Sequence, residues 1–276
     1  MNALLRGIAV FSLLMYFSGA AQAQTETDST PWDKFSISVG GFITQSDTTI
    51  QLNSATLGVG AVIDLENGLG VESDFRTYRI DANYRFGESR RHEIEFHYFD
   101  SRRTGDRTLD QQLQIGDLIL PAGTGVTTEF DLTFANLDYV YNFLMDDRVR
   151  LGVSAGLHTT GIGLKITETG GGAVEDESFT APLPMIGLRS EILLTERWRL
   201  KMDFNFFYLE YDNYTGQLSD ALMAVEYRPW KNFSLGAGIN SIDYTVEADT
   251  DDTIVGLNGQ IEFKLTGFML YGKYFF

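Results

Sequence analysis

The sequence predicts an all-β fold: a closed antiparallel transmembrane β-barrel of ten strands, with eight and twelve as the alternatives. Three observations predict it. Segments of about ten residues alternate apolar and polar side chains with a period of two, as a wall with lipid on one side and a lumen on the other requires. The links between these segments alternate short and long, and the chain closes on an aromatic segment ending at Phe276. Composition agrees. Aromatic residues make up 13% and glycine numbers 28 of 276, yet mean hydropathy is −0.10 and no long apolar stretch follows Ala23. A helical membrane protein needs about 20 consecutive apolar residues per crossing, so that class is excluded.

In chain order, residues 1–23 read as a signal peptide: Arg6, an apolar run from Ile8 to Phe17, and Ala21-Gln22-Ala23 as a small-x-small cleavage pattern. Residues 24–33 read as a short periplasmic tail and 34–276 as the barrel. Strands are expected near 34–45, 75–86, 91–101, 129–143, 148–165, 179–194, 197–211, 218–229, 232–245 and 253–276. In 78–86 the tyrosines, Ile80, Ala82 and Phe86 share one face, while Arg79, Asp81, Asn83 and Arg85 share the other. In 198–206 the same alternation sends Leu200 and Phe204 to lipid and Asn205 to the lumen. Arginine is therefore excluded at Leu200 and Phe204 and expected to be accommodated at Asn205.

Four short polar links are expected on the periplasmic side: 87–90, 145–147, 195–197 and 229–232. Long Asp/Gly/Thr-rich connections face outward, at 45–74, 101–128, 166–178, 212–217 and 246–252. Tyr139, Tyr141, Phe143, Trp198 and Trp230 beside the short links form an interfacial girdle. Leu57 to Leu65 alternates like a strand, but a crossing there would make the count odd. It is assigned to the long first outer loop, extending the barrel upward, and the role of segment 54–72 stays open.

The last strand carries a resemblance. Phe268, Leu270, Tyr274 and the terminal Phe276 resemble the C-terminal signature of Gram-negative outer-membrane proteins, and the layout is similar to the small OmpA-, OmpX- and OmpW-like barrels. The resemblance implies residence in the cell outer membrane, contact with lipid and lipopolysaccharide, and recognition by the barrel-assembly machinery.

The chain has no cysteine, which excludes thiol catalysis and Cys-ligated metals, and a net charge of −17, which disfavours nucleic acid. Lumen-facing positions give a list balanced in sign. Arg79, Arg85, Arg150, Arg189, Arg199, Lys201, Arg228 and Lys273 stand against Asp81, Glu93, Glu95, Asp138, Glu191, Asp203, Asp220 and Glu226, with His97 among them. Charges in a narrow barrel must be paired or watered, so these residues are expected to fill or constrict the lumen. The acidic excess is then assigned to the outer loops, where Asp249, Asp251 and Asp252 are weak candidates for a divalent cation.

Only three histidines exist, His92, His97 and His158. Ser154 and His158 share a strand face about 13 Å apart, beyond the contact a nucleophile and base need. No phosphate-binding glycine loop precedes a helix, and no cofactor is predicted. Gly152, Gly156, Gly236 and Gly238 are expected to make room for opposing arginines. The sequence is thus read as a non-enzymatic outer-membrane barrel with a structural or surface-interaction role. The alternative is a narrow porin-like channel for small polar solutes, and the third reading a hydrolase at the outer rim.

Overall fold

The computed structural model describes residues 31–53, 61–115, 118–170, 172, 174–211, 214–249 and 258–276. The signal peptide and tail residues 24–30 lie outside them, as do Asp251 and Asp252. Ten long strands form the wall: β1 (Phe35–Leu52), β3 (Asp74–Phe86), β4 (His92–Thr108), β7 (Gly125–Met145), β8 (Val149–Glu168), β9 (Val174–Leu193), β10 (Trp198–Tyr211), β11 (Tyr214–Trp230), β12 (Phe233–Asp249) and β13 (Asn258–Phe275). Each pairs antiparallel with the next, and β13 pairs with β1 from Ser36↔Phe275 to Leu52↔Gly259, so the sheet returns on itself. Outside this ring, β2 (Ile63–Asp64) joins β1, helix α1 spans Leu65–Leu69, and β5 (Leu113–Ile115) and β6 (Leu118–Leu120) make a separate hairpin.

The strands run further outward than expected. β7 begins at Gly125 rather than 129 and β1 continues to Leu52, so much of what reads as outer loop is wall. The reason lies in the side chains. In β7, Leu137, Tyr139 and Tyr141 face outward, but Phe130, Leu132 and Phe134 are buried inside. In β12, Leu235 and Ile239 face outward while Ile242, Tyr244 and Val246 face inward; in β13 the switch falls between Leu265 and Phe268. The alternation changes phase once along these strands. On the periplasmic side of the change the wall is apolar outside and polar inside, as a membrane barrel requires. Beyond it, Thr133, Ser241, Lys264 and Thr266 face outward over an apolar interior, the pattern of a water-soluble barrel. From Gly125 to Thr133 that second zone is about 20–25 Å of tilted wall.

The periplasmic turns are tight. Gly87 takes the left-handed φ of 82° needed to reverse the chain between β3 and β4. Between β7 and β8, Asp146 Oδ1 accepts from the backbone N–H groups of Arg148 and Val149 at 2.8 and 2.7 Å, which holds its carboxyl below the usual carboxylate range.

Helix α1 of the first outer loop folds inward instead of extending the wall. Asp64 caps α1 by accepting from Asn67 N, Gly70 closes it at φ 73°, and Leu65 and Leu69 are fully buried among the lumen-facing apolar residues. Gly105 of β4 permits this docking: a Cβ there would stand 2.4 Å from the carbonyl of Gly70.

Candidate functional site: a lumen sealed in layers

Going inward from the periplasmic mouth, the first layer is built by Trp32 and Asp33. Trp32 Nε1 donates to the Asp146 carbonyl at 2.8 Å, and its ring packs 5.4 Å from the Arg199 guanidinium. Asp33 accepts from Arg228 at 2.7 Å and lies 3.6 Å from Arg199. These two residues thus lie across the opening. Their contribution was illegible because they lie outside the alternating segments; a tryptophan next to the first strand was the one sign.

Above it lies a ring of ion pairs. Arg150 bridges Glu93 at 2.5 Å and Glu191 at 2.6 Å; Arg85 bridges the same carboxylates at 3.0 and 3.3 Å, and Arg199 reaches Glu191 at 3.2 Å. These groups come from β3, β4, β8, β9 and β10, so the bonds cross the lumen. Amides complete the layer. Asn83 donates to Glu93 at 2.7 Å, and Asn142 accepts from Arg150 at 2.9 Å.

The middle layer holds Arg189, which donates to Glu95 at 2.6 Å, Asp138 at 2.7 Å and Asn205 at 2.8 Å. Arg79 pairs with Asp81 at 2.7 Å, Lys201 with Asp203 at 2.9 Å, and Lys273 with Glu226 at 3.1 Å, where the Tyr271 hydroxyl also donates. Asp220 accepts from Asn240 and Asn205. His97 Nδ1 lies 2.6 Å from Asp81, and Glu95, His97 and Asp138 bring one ligand atom each within 4.8 Å of one another. A small cavity is lined by Asp81, Glu95, His97 and Lys201 together with Ser38 and Lys273.

Among the described residues, the outer half contains no such lattice. Phe99 stacks on Phe134 at 4.6 Å and Tyr244 on Phe263 at 4.7 Å, with Phe42 and His158 edge-on to them. Aromatic pairs of this kind add about 0.5–1.5 kcal/mol each beyond area burial. Above them, Ile50, Leu164, Ile166, Val246 and Ile261 pack with α1. One charge pins the plug: Arg103, 1% exposed, donates to Glu66 at 2.6 Å and lies 4.8 Å over the Phe130 ring.

The lumen-facing charges inferred from the sequence all lie in the two polar layers, Arg228 at the mouth, so ion pairs fill the periplasmic half and not the whole length. Two further readings are corrected. Asn205 cannot take arginine, because it is 3% exposed and already wedged between Arg189 and Asp220. The glycines do not face arginines: Asn142 occupies the space over Gly152, Asp138 that over Gly156, the Tyr271 ring that over Gly236, and Ala224 that over Gly238. His158 bonds Thr160 at 3.0 Å, and Gly187 and Asn205 lie close to Ser154. Asp249 pairs with Asn258 at the end of β12, and its prospective partners Asp251 and Asp252 lie outside the described residues.

The protease OmpT of Escherichia coli superposes with a TM-score of 0.55 at 12% identity, covering 90% of this chain and 98% of that one. The NalP autotransporter translocator domain of Neisseria meningitidis gives 0.46 at 11% identity, covering 100% and 97%. The attachment invasion locus protein Ail of Yersinia pestis, solved with the heparin analogue sucrose octasulfate, gives 0.39 at 14%, covering 88% and 99%. No curated protein matches in sequence. The model of the outer membrane protein β-barrel domain matches residues 9–224, and the chain belongs to that family, a multi-pass barrel of the outer membrane with an ion-paired interior.

Proposed function

We propose that the barrel is a sealed, non-enzymatic scaffold that holds its outer loops above the membrane for contact with the cell's surroundings. One observation carries this reading: two unlike fillings are stacked in one lumen. A channel would need a watered path, and here a cross-linked ion layer is followed by a packed apolar core under α1. The second zone of wall, polar outside and dry inside, serves no transport purpose but lifts the loop ends by about 20–25 Å. The histidines support the non-enzymatic reading, since His92 lies on the outer wall beside Tyr139 and His97 and His158 lie inside. Lipopolysaccharide is the expected neighbour of the polar outer wall, and the barrel-assembly machinery the expected partner in biogenesis.

Planar-bilayer recording of the refolded barrel tests the reading. A silent membrane over a protein that runs as a folded band on an unboiled gel is expected. Discrete, reproducible conductance steps would replace the scaffold with the porin-like channel.

A further inference from the structure

The middle layer of the lumen is short of cations. Asp81, Glu95, Asp138, Asp203 and Asp220 face Arg79, Arg189 and Lys201 as the permanent positive charges among the described residues, since Lys273 is taken by Glu226. Arg228 lies apart at the mouth, paired with Asp33 at 2.7 Å and with 26% of its side chain exposed. Buried carboxylates without compensation are strongly unfavourable.

Three of the groups in this layer are arranged as ligands. Glu95 and His97 are two apart on the inward face of β4, and Asp138 is the direct cross-strand partner of Glu95 on β7. His97 Nδ1 meets Asp81 at 2.6 Å, with Arg79 Nη2 3.5 Å from the same nitrogen. Asp81 therefore accepts from Nδ1–H, and Nε2 is the ring nitrogen turned toward Glu95. Nε2 stands 3.8 Å from Glu95 Oε2, too far for a hydrogen bond and close to the separation of about 3.3 Å between two ligands of one tetrahedral ion. A carboxylate behind the distal imidazole nitrogen is the usual outer support of a metal-bound histidine. A second observation points the same way. Asp138 is 1% exposed and its Oδ1 has no hydrogen-bond partner, because Arg189 uses only Oδ2; the neighbouring Asn136 Oδ1 is likewise buried and unpartnered.

We propose that Glu95, His97 Nε2 and Asp138 form a binding site for a borderline divalent metal ion of the zinc class inside the lumen, with Asp81 as the positioning residue of His97. A nitrogen and carboxylate oxygens suit such an ion better than Ca²⁺ or Mg²⁺, which prefer oxygen alone. Glu95 and His97 line the small cavity of this layer, where water can complete the coordination shell. The ion would tie β4 to β7 alongside Arg189.

The full chain, refolded from urea into detergent micelles with and without Zn²⁺ and then desalted, tests this by its metal content. Folded wild type is expected to retain about one zinc per chain. Asp81→Asn should weaken retention roughly 10–100-fold, the usual effect of removing an outer partner, and His97→Gln should abolish it. His92→Gln, on the outer wall, should change nothing. X-ray absorption of the zinc-loaded wild type needs no variant and should show an imidazole among oxygen ligands. A folded barrel that retains no zinc overturns the proposal. So do equal retention by His97→Gln, loss in His92→Gln, or a shell without imidazole.

Discussion

Arg189 and Glu95 meet at 2.6 Å although two strands, β8 and β7, stand between their own strands in the wall. The bond is a strut across the lumen, not a rung of the sheet. Breaking a buried pair strands a charge and costs about 3–5 kcal/mol, whereas replacing both partners with neutral groups of like volume is nearly neutral. Arg189→Ala is therefore expected to lower unfolding free energy by about that amount in urea titration. The set Arg189→Met, Glu95→Gln, Asp138→Asn, which removes both carboxylates that Arg189 holds, should recover a large part, and additive losses would count against direct coupling across the lumen.

The phase change in the wall makes arginine a ruler for the membrane boundary. Phe204→Arg, on the apolar belt, should cost about 2–4 kcal/mol of folding stability and block insertion into vesicles. Thr133→Arg, outward but above the belt, should stay within about 0.5 kcal/mol. Equal losses at the two positions would move the boundary outward past Thr133.

Trp32 is buried at 1% exposure, whereas Trp198 and Trp230 are exposed on the wall. Trp32→Ala should destabilise the barrel by about 3–5 kcal/mol, as loss of a buried large aromatic does. Before unfolding, acrylamide should reach the tail's tryptophan poorly. Fluorescence of a Trp198→Phe, Trp230→Phe background resolves this, and free quenching would mean that the tail does not cover the mouth.

Gly105→Ala tests the outer plug. Its Cβ would collide with backbone at Gly70, which cannot swing aside as a side chain does. Displacement of α1 is expected, read as new proteolytic cleavage between 61 and 73 while the membrane zone keeps its folded gel mobility. An uncut variant would show that α1 docks by its leucines alone.

The ring of strands, the turns and the inward face were legible because a period of two and alternating link lengths are local properties. The phase change was legible too: Ile261, Phe263 and Leu265 sit at odd positions, Phe268 and Leu270 follow at even ones, and the same slip occurs between Ile239 and Ile242. A reading that ends each strand where the lipid-facing alternation fails mistakes the slip for a loop. Struts such as Arg85 to Glu191 were not legible, because they depend on tilt and closure of the whole ring. Nor were the buried asparagines Asn142 and Asn205, whose value lies in geometry rather than charge.

The pairing of β13 with β1 has a consequence for synthesis and folding. The first strand made finds its second neighbour only when the last has emerged, so its hydrogen-bonding edge stays open throughout. Contacts between the two ends of a chain are the slowest kind to form, and an open strand edge recruits other chains. Closure thus waits for the last strand, and a chain cut short before Asn258 is left with two sticky edges rather than a slightly smaller barrel.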